Sequence, residues 1–146
     1  MFFFFNLIFR ILTFLIVIIN PTFSKGAEII INIKNNKSDN GFIHLALYND
    51  EEKFLEDEGK FIGLKKKTNL VVQSGINVKN LIEGDYAIAI YHDENENDNF
   101  DRLFSLPLES YGFSNNARVF LGPPSFKESS FFLRQEETLE IEIELR

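Results

Sequence analysis

The sequence predicts an all-β fold, a single antiparallel β-sandwich of about seven short strands with one short helical turn. Three observations carry that expectation. Apolar residues recur at every second position in several short runs, so each run has one face to bury. Clusters of Asn, Asp, Ser and Gly separate the runs, and these residue types favour turns. After residue 24 no stretch sustains the period of a long helix.

Residues 1–24 stand apart. Residues 1–19 are apolar except for Asn6, Arg10 and Thr13, and Asn20-Pro21-Thr22-Phe23-Ser24 follows. This is the pattern of a secretory signal peptide cleaved after Ser24, which leaves 25–146 as the β-sandwich domain, periplasmic or secreted. The competing reading is an uncleaved membrane anchor, since the apolar run approaches the lower limit of about 17 to 25 residues for a span. Arg10 weighs against it, at a cost of about 2.5 to 3.5 kcal/mol near the centre of a span.

Cleavage takes one of the 15 basic residues and none of the 22 acids, leaving 14 against 22 and a net charge of −8. Such a surface repels nucleic acid and anionic lipid, so neither nucleic acid nor membrane is expected as a partner of the cleaved chain. Cations and neutral envelope or extracellular ligands are. The absence of cysteine excludes disulfides, thiolate metal sites and thiol nucleophiles.

Taken in order, 28–34 buries Ile29, Ile31 and Ile33 on one face, and 35–41 is a turn cluster ending in Gly41. Residues 42–48 resume the alternation through Ile43, Leu45 and Leu47, which leaves His44 on the other face as an ordinary half-exposed residue. Residues 49–57 read as the short helical turn, with Asn or Asp as cap and acids in the first turn. Residues 60–67, 69–73 and 76–81 are weaker strand candidates. Tyr86-Ala87-Ile88-Ala89-Ile90-Tyr91-His92 is the central strand. A 35-residue connection, 93–127, holds three of the four prolines, and a connection that long in a compact domain tends to be functional. Residues 130–134 and 138–146 close the fold. In the last, Leu139, Ile141, Ile143 and Leu145 point inward and Glu140, Glu142 and Glu144 outward, a fringe that discourages edge-to-edge pairing.

The candidate site is at the start of the long connection. In His92-Asp93-Glu94-Asn95-Glu96-Asn97-Asp98-Asn99-Phe100-Asp101, the residues Asp93, Asn95, Asn97, Asn99 and Asp101 occupy positions one, three, five, seven and nine of a calcium-loop pattern. A chain curling around a hard cation presents alternate residues to it. Position six is Asp98 where a sharp turn favours glycine, and position twelve is Phe104, which offers no carboxylate; water, Glu109 or another strand would have to replace it. Two charged ligands imply weak Ca²⁺ affinity, on the order of 10⁻⁴ to 10⁻³ M. The alternative needs no ion: Asx side chains bond to their own backbone and form turns. A third reading pairs His92 as base with Ser105, Ser110 or Ser114, but no nucleophile elbow or histidine cluster supports a hydrolase.

Three ordered motifs, residues 86–95, Tyr111-Gly112-Phe113-Ser114-Asn115-Asn116-Ala117-Arg118 and Gly122-Pro123-Pro124-Ser125-Phe126, resemble a bacterial exported-protein family, domain of unknown function 2141, over about residues 27 to 146. The resemblance implies a signal peptide followed by an immunoglobulin-like or transthyretin-like sandwich, and no established activity. It also implies glycines at positions 96 and 98, where this chain has Glu96 and Asp98. In this setting Gly112 and Gly122 are expected at unusual φ. Tyr111, Phe113, Asn115, Asn116 and Arg118 are expected to form a ligand or partner surface beside the loop. The function expected is an exported, non-catalytic module with a Ca²⁺-stabilised Asx loop. The alternative is a metal-free module binding an envelope sugar or peptide.

Overall fold

The computed structural model describes residues 25–146, so the expected signal peptide lies outside the described residues. The described chain is all-β, with several sheets, mostly antiparallel, and few helices. Its strand segments are β1 (Ala27–Lys34), β2 (Phe42–Tyr48), β3 (Ile62–Lys67), β4 (Ile76–Leu81), β5 (Gly84–Asp93), β6 (Arg102–Leu103), β7 (Leu106–Pro107), β8 (Ser110–Phe113), β9 (Phe131–Leu133) and β10 (Thr138–Glu144). Two short helices join them, α1 (Thr68–Ser74) and α2 (Phe126–Ser129). Among the described residues no helix is long and apolar enough to cross a membrane.

One sheet has the order β10-β1-β4 and the other β3-β2-β5-β8, with β9 also on β5. The strand read as central is central: β5 pairs with β2 from Ala87 to Asp93, with β8 from Ala89 to His92 and with β9 from Gly84 to Tyr86. The pairing of β1 with β10 is parallel, a departure from a purely antiparallel expectation. Alternation decides which faces meet. Ile29, Ile31 and Ile33 of β1, Ile43, Leu45 and Leu47 of β2, and Ile88 and Ile90 of β5 enter one buried cluster with Ile143 and Leu145. Each such side chain, fully buried, contributes about 1.5 to 3 kcal/mol relative to exposure. The opposite face of β2 and β5 is covered only in part, by a second cluster of Ala46, Tyr48, Ala87 and Phe126.

Three expectations are corrected. Residues 69–73 are helical. Only Thr68 and Val71 of α1 are buried, at helical spacing, and Gly75 (φ 68°) ends the helix by donating its N–H to the Val71 carbonyl at 2.8 Å. The helix carries the chain from β3 in one sheet to β4 in the other, a step the apolar pattern of 69–73 does not reveal. The 93–127 connection is also less irregular than its length implies. It holds the small β6–β7 hairpin, the sheet strand β8 and α2, with the Ser114–Asn116 turn between the last two. Ser114 clamps this region to the core strand, since its buried hydroxyl accepts from Ile88 N at 2.8 Å and donates to the Ser129 carbonyl. Gly122 is not at positive φ, and neither is Gly112. Glycine is needed there for space, because a Cβ would meet Ile143 Cγ2 at 2.7 Å and the Glu144 carbonyl at 2.9 Å.

Candidate functional site

The uncovered face of the β3-β2-β5-β8 sheet floors a cleft of about 970 Å³. The register explains the depression. Gly63, Ala46 and Ala89 are cross-strand neighbours, and the row ends on Phe113. Three adjacent strands thus present almost no side chain at one level. The next row, Lys65, His44, Tyr91 and Tyr111, forms a tall edge. His44 stacks on Tyr91 with ring centroids 4.5 Å apart, Phe100 lies 5.3 Å from Tyr91 and 5.9 Å from Tyr111, and Tyr111 lies 6.0 Å from Phe113. Leu106 and Pro107 of the hairpin and Val119 and Leu121 of the following loop add apolar walls.

The Asx segment adjoins that aromatic edge. Asp93 is fully buried; its Oδ1 accepts from Asn97 N at 3.1 Å and its Oδ2 from Asp98 N at 3.0 Å. Asn95 Oδ1 accepts from Asn97 N (3.1 Å), and Asn97 Oδ1 from Asn99 N (2.8 Å). Asp101 draws the ends together, accepting from Asn95 Nδ2 at 2.7 Å and from Asn97 Nδ2 at 3.0 and 3.1 Å. Glu109 joins by accepting from Asp101 N at 3.1 Å. Glu96 (φ 62°) and Asp98 (φ 63°) take left-handed conformations at the two positions where the resemblance implies glycine.

The family model of an uncharacterized protein conserved in bacteria, domain of unknown function 2141, matches residues 31–141. The chain belongs to this family. No curated protein and no solved structure matches it. The match takes in the Asx segment, both cleft walls and β8, so the geometry above lies within the family region.

Beside the Asx segment is a polar cluster that alternation alone misses. His44 Nε2 lies 3.3 Å from Asp93 Oδ2 and 3.5 Å from Asp98 Oδ1, and Lys65 pairs with Asp98. The ligand atoms of His44, Asp93 and Asp98 fall within 4.8 Å of one another, but the Lys65 ammonium already pairs with Asp98. Burial holds the His44 pKa below its ordinary value, against the pull of Asp93, and the hydrogen bond from Lys65 lowers that of Asp98. Burial raises the Glu109 carboxyl and pushes the Tyr91 phenol up to about 12, and the Tyr91 hydroxyl donates to the Asp98 carbonyl at 3.4 Å. Signals for His44 existed in part: the sequence assigned its face, but not the register that puts it on Tyr91.

Of the expected surface residues, Tyr111 and Phe113 line the cleft. Asn115, Asn116 and Arg118 do not belong to its lining. Asn115 donates to the Ser130 carbonyl at 2.7 Å, and Asn116 Oδ1 accepts from Glu144 N at 2.8 Å, so their amides serve backbone instead. Arg118 is exposed. His92 is fully buried on the core face of β5, with Nε2 2.7 Å from the Asn40 carbonyl. Ser110 is buried opposite it, Ser114 is engaged as described, and Ser105 is an exposed residue of the cleft.

Proposed function

We propose that the chain is an exported β-sandwich module, immunoglobulin-like or transthyretin-like, that binds a ligand in the cleft on the outer face of its five-stranded sheet. The observation that carries this reading is the Gly63–Ala46–Ala89 row beside the His44–Tyr91–Tyr111 edge. A concave, mostly apolar site with a few converging polar groups is the usual form of a small-molecule site. The sandwich is inferred from the single buried cluster to which both sheets contribute. Export follows from the apolar 1–24 segment, with the mature chain acting in the periplasm or beyond it.

The Asx segment supports the cleft by leading directly into Phe100 and Arg102, both in the lining. Its side chains already satisfy several of its backbone donors, which favours a module that works without metal. A second reading keeps Ca²⁺, because Asn95, Asn97 and Asp101 meet within 2.7 to 3.1 Å and their oxygens reorient on amide rotation. Thermal melting in millimolar Ca²⁺ against EDTA decides between them. A higher melting temperature with Ca²⁺ supports the ion, and equal temperatures remove it.

The cleft is tested with N-phenyl-1-naphthylamine, a neutral probe whose fluorescence rises in apolar surroundings. The wild-type chain is expected to enhance it, and Ala89→Leu, which fills the floor, to abolish the enhancement. Equal signals from both proteins would overturn the reading.

A further inference from the structure

We infer that the ligand of this cleft is a single-chain amphiphile, an extended apolar tail that ends in an anionic head group held by Arg102. The inference rests on the binding reading above and adds the chemical class of the ligand.

Shape carries the tail. Adjacent strands are about 4.8 Å apart, so the floor from Gly63 to Phe113 is about 14 Å long, while rows on one strand face are only about 6.7 Å apart. A slot one side chain wide and twice as long fits an extended alkyl chain better than a branched or fused-ring body. Its walls are hydrocarbon at Leu106, Val119 and Leu121.

Charge carries the head. The protein is acidic, yet the cleft holds Lys60, Lys65 and Arg102. Lys60 is paired with Asp57 and Lys65 with Asp98. Arg102 differs. Its guanidinium sits 4.8 Å over the Phe100 ring and has no carboxylate partner among the described residues. Stacked on that ring, it keeps its planar fork of donors for a carboxylate or phosphate. An uncommitted Arg beside a hydrocarbon slot selects an anion with an apolar tail over a neutral molecule of the same length.

The lips extend the same chemistry outward. Leu121, a lining residue, is 98% exposed and takes a positive φ of 58°, while Phe104, at the tip of the β6–β7 hairpin and outside the lining, is 95% exposed with φ 56°. Bulky residues avoid that conformation at a cost of about 1 to 2 kcal/mol. The apolar Leu121 side chain, held strained and bare at one wall, is explained if it contacts a tail entering or leaving the slot. Neither 102–108 nor 117–124 contains an acid that would repel the head group.

The test is displacement of N-phenyl-1-naphthylamine by dodecanoate and dodecyl phosphate, each below its micellar concentration, and by dodecanol below its solubility limit. Both anions are expected to displace the probe at least about tenfold more tightly than dodecanol, the worth of one charge-assisted bidentate contact. Their relative affinities tell whether the natural head is a carboxylate or a phosphate. Arg102→Gln, at an exposed position, is expected to erase the preference for the anions and leave dodecanol within about twofold. Displacement by dodecanol as tight as by dodecanoate, no displacement by any of the three, or an anion preference unchanged in Arg102→Gln would overturn the inference. In those cases probe binding that is lost in Ala89→Leu leaves the cleft reading standing; without such binding both fall.

Discussion

Asp93→Asn asks whether the Asx segment hangs on one buried carboxylate. Asp93 has no exposed surface, and its two oxygens each take one backbone N–H, from Asn97 at 3.1 Å and Asp98 at 3.0 Å. A hydrogen bond to an ionised acceptor contributes about 1.5 to 3 kcal/mol, and a buried donor left bare costs about 1 to 3 kcal/mol. Asparagine keeps one oxygen and turns an amino group toward the other N–H, so one bond is lost and two donors face each other. The expected fall in unfolding free energy is about 2 to 4 kcal/mol, a large part of the 5 to 15 kcal/mol typical of a domain. Urea unfolding in EDTA at neutral pH measures it. With a slope of about 2 kcal/mol per molar urea, the midpoint drops by about 1 to 2 M while the slope stays fixed. Amide exchange at Asn97 and Asp98 should accelerate with it. A loss below about 1 kcal/mol, with both amides still protected, would refute the reasoning and shift the anchor to Asp101.

Gly41→Ala should destabilise the chain by about 2 to 4 kcal/mol, because φ there is 69° and a Cβ would stand 2.1 Å from the Asp93 carbonyl oxygen. An unchanged melting temperature would count against that packing. Glu96→Gly relieves an exposed left-handed residue and should raise stability by up to about 1 kcal/mol, or a few degrees in melting; a drop would mean the Glu96 side chain does more than occupy the turn. Burial raises the phenols of Tyr48 and Tyr86 above their ordinary 10.0, with the Asp57 charge adding to the first. Through that range the folded chain keeps protons that the unfolded chain releases, so stability falls as pH climbs above 10.0. Tyr86→Phe should flatten part of that slope in urea titrations between neutral and alkaline pH, and an equal slope would refute the assignment.

The sheet framework was legible because its strands bury one face each, and a period of two is written directly into Ile43, Leu45 and Leu47 or into Leu139 to Leu145. Residues 69–73 misled because Leu70, Val71 and Val72 are apolar without regard to face, and only tertiary contact selects Val71. The Asx segment was legible as a self-bonding unit, since Asn and Asp bond within a few residues of themselves. The cleft was not. Its floor joins Gly63, Ala46 and Ala89 from three strands, and cross-strand register cannot be read from any one of them. The same holds for His44, whose partners Tyr91, Asp93 and Asp98 lie about fifty residues on in the chain. Asn115 and Asn116 looked like recognition residues because exposed amides serve ligands and backbone equally well.

Asn116 has a consequence for how copies of this molecule behave together. β10 borders its sheet, with β1 on one flank only, and a bare flank of that kind is a template for another chain's backbone. Past the strand's end the Tyr111 backbone exchanges bonds with Arg146 at 3.0 and 3.2 Å, and along β10 itself the Asn116 amide stands in for the missing neighbour: its oxygen takes the Glu144 N–H at 2.8 Å and its nitrogen reaches the Glu142 carbonyl at 3.5 Å. The substitution Asn116→Ala would keep the interior intact while offering that flank to other copies in concentrated solution. What this side chain guards is colloidal behaviour, and its loss would show as turbidity long before it showed as unfolding.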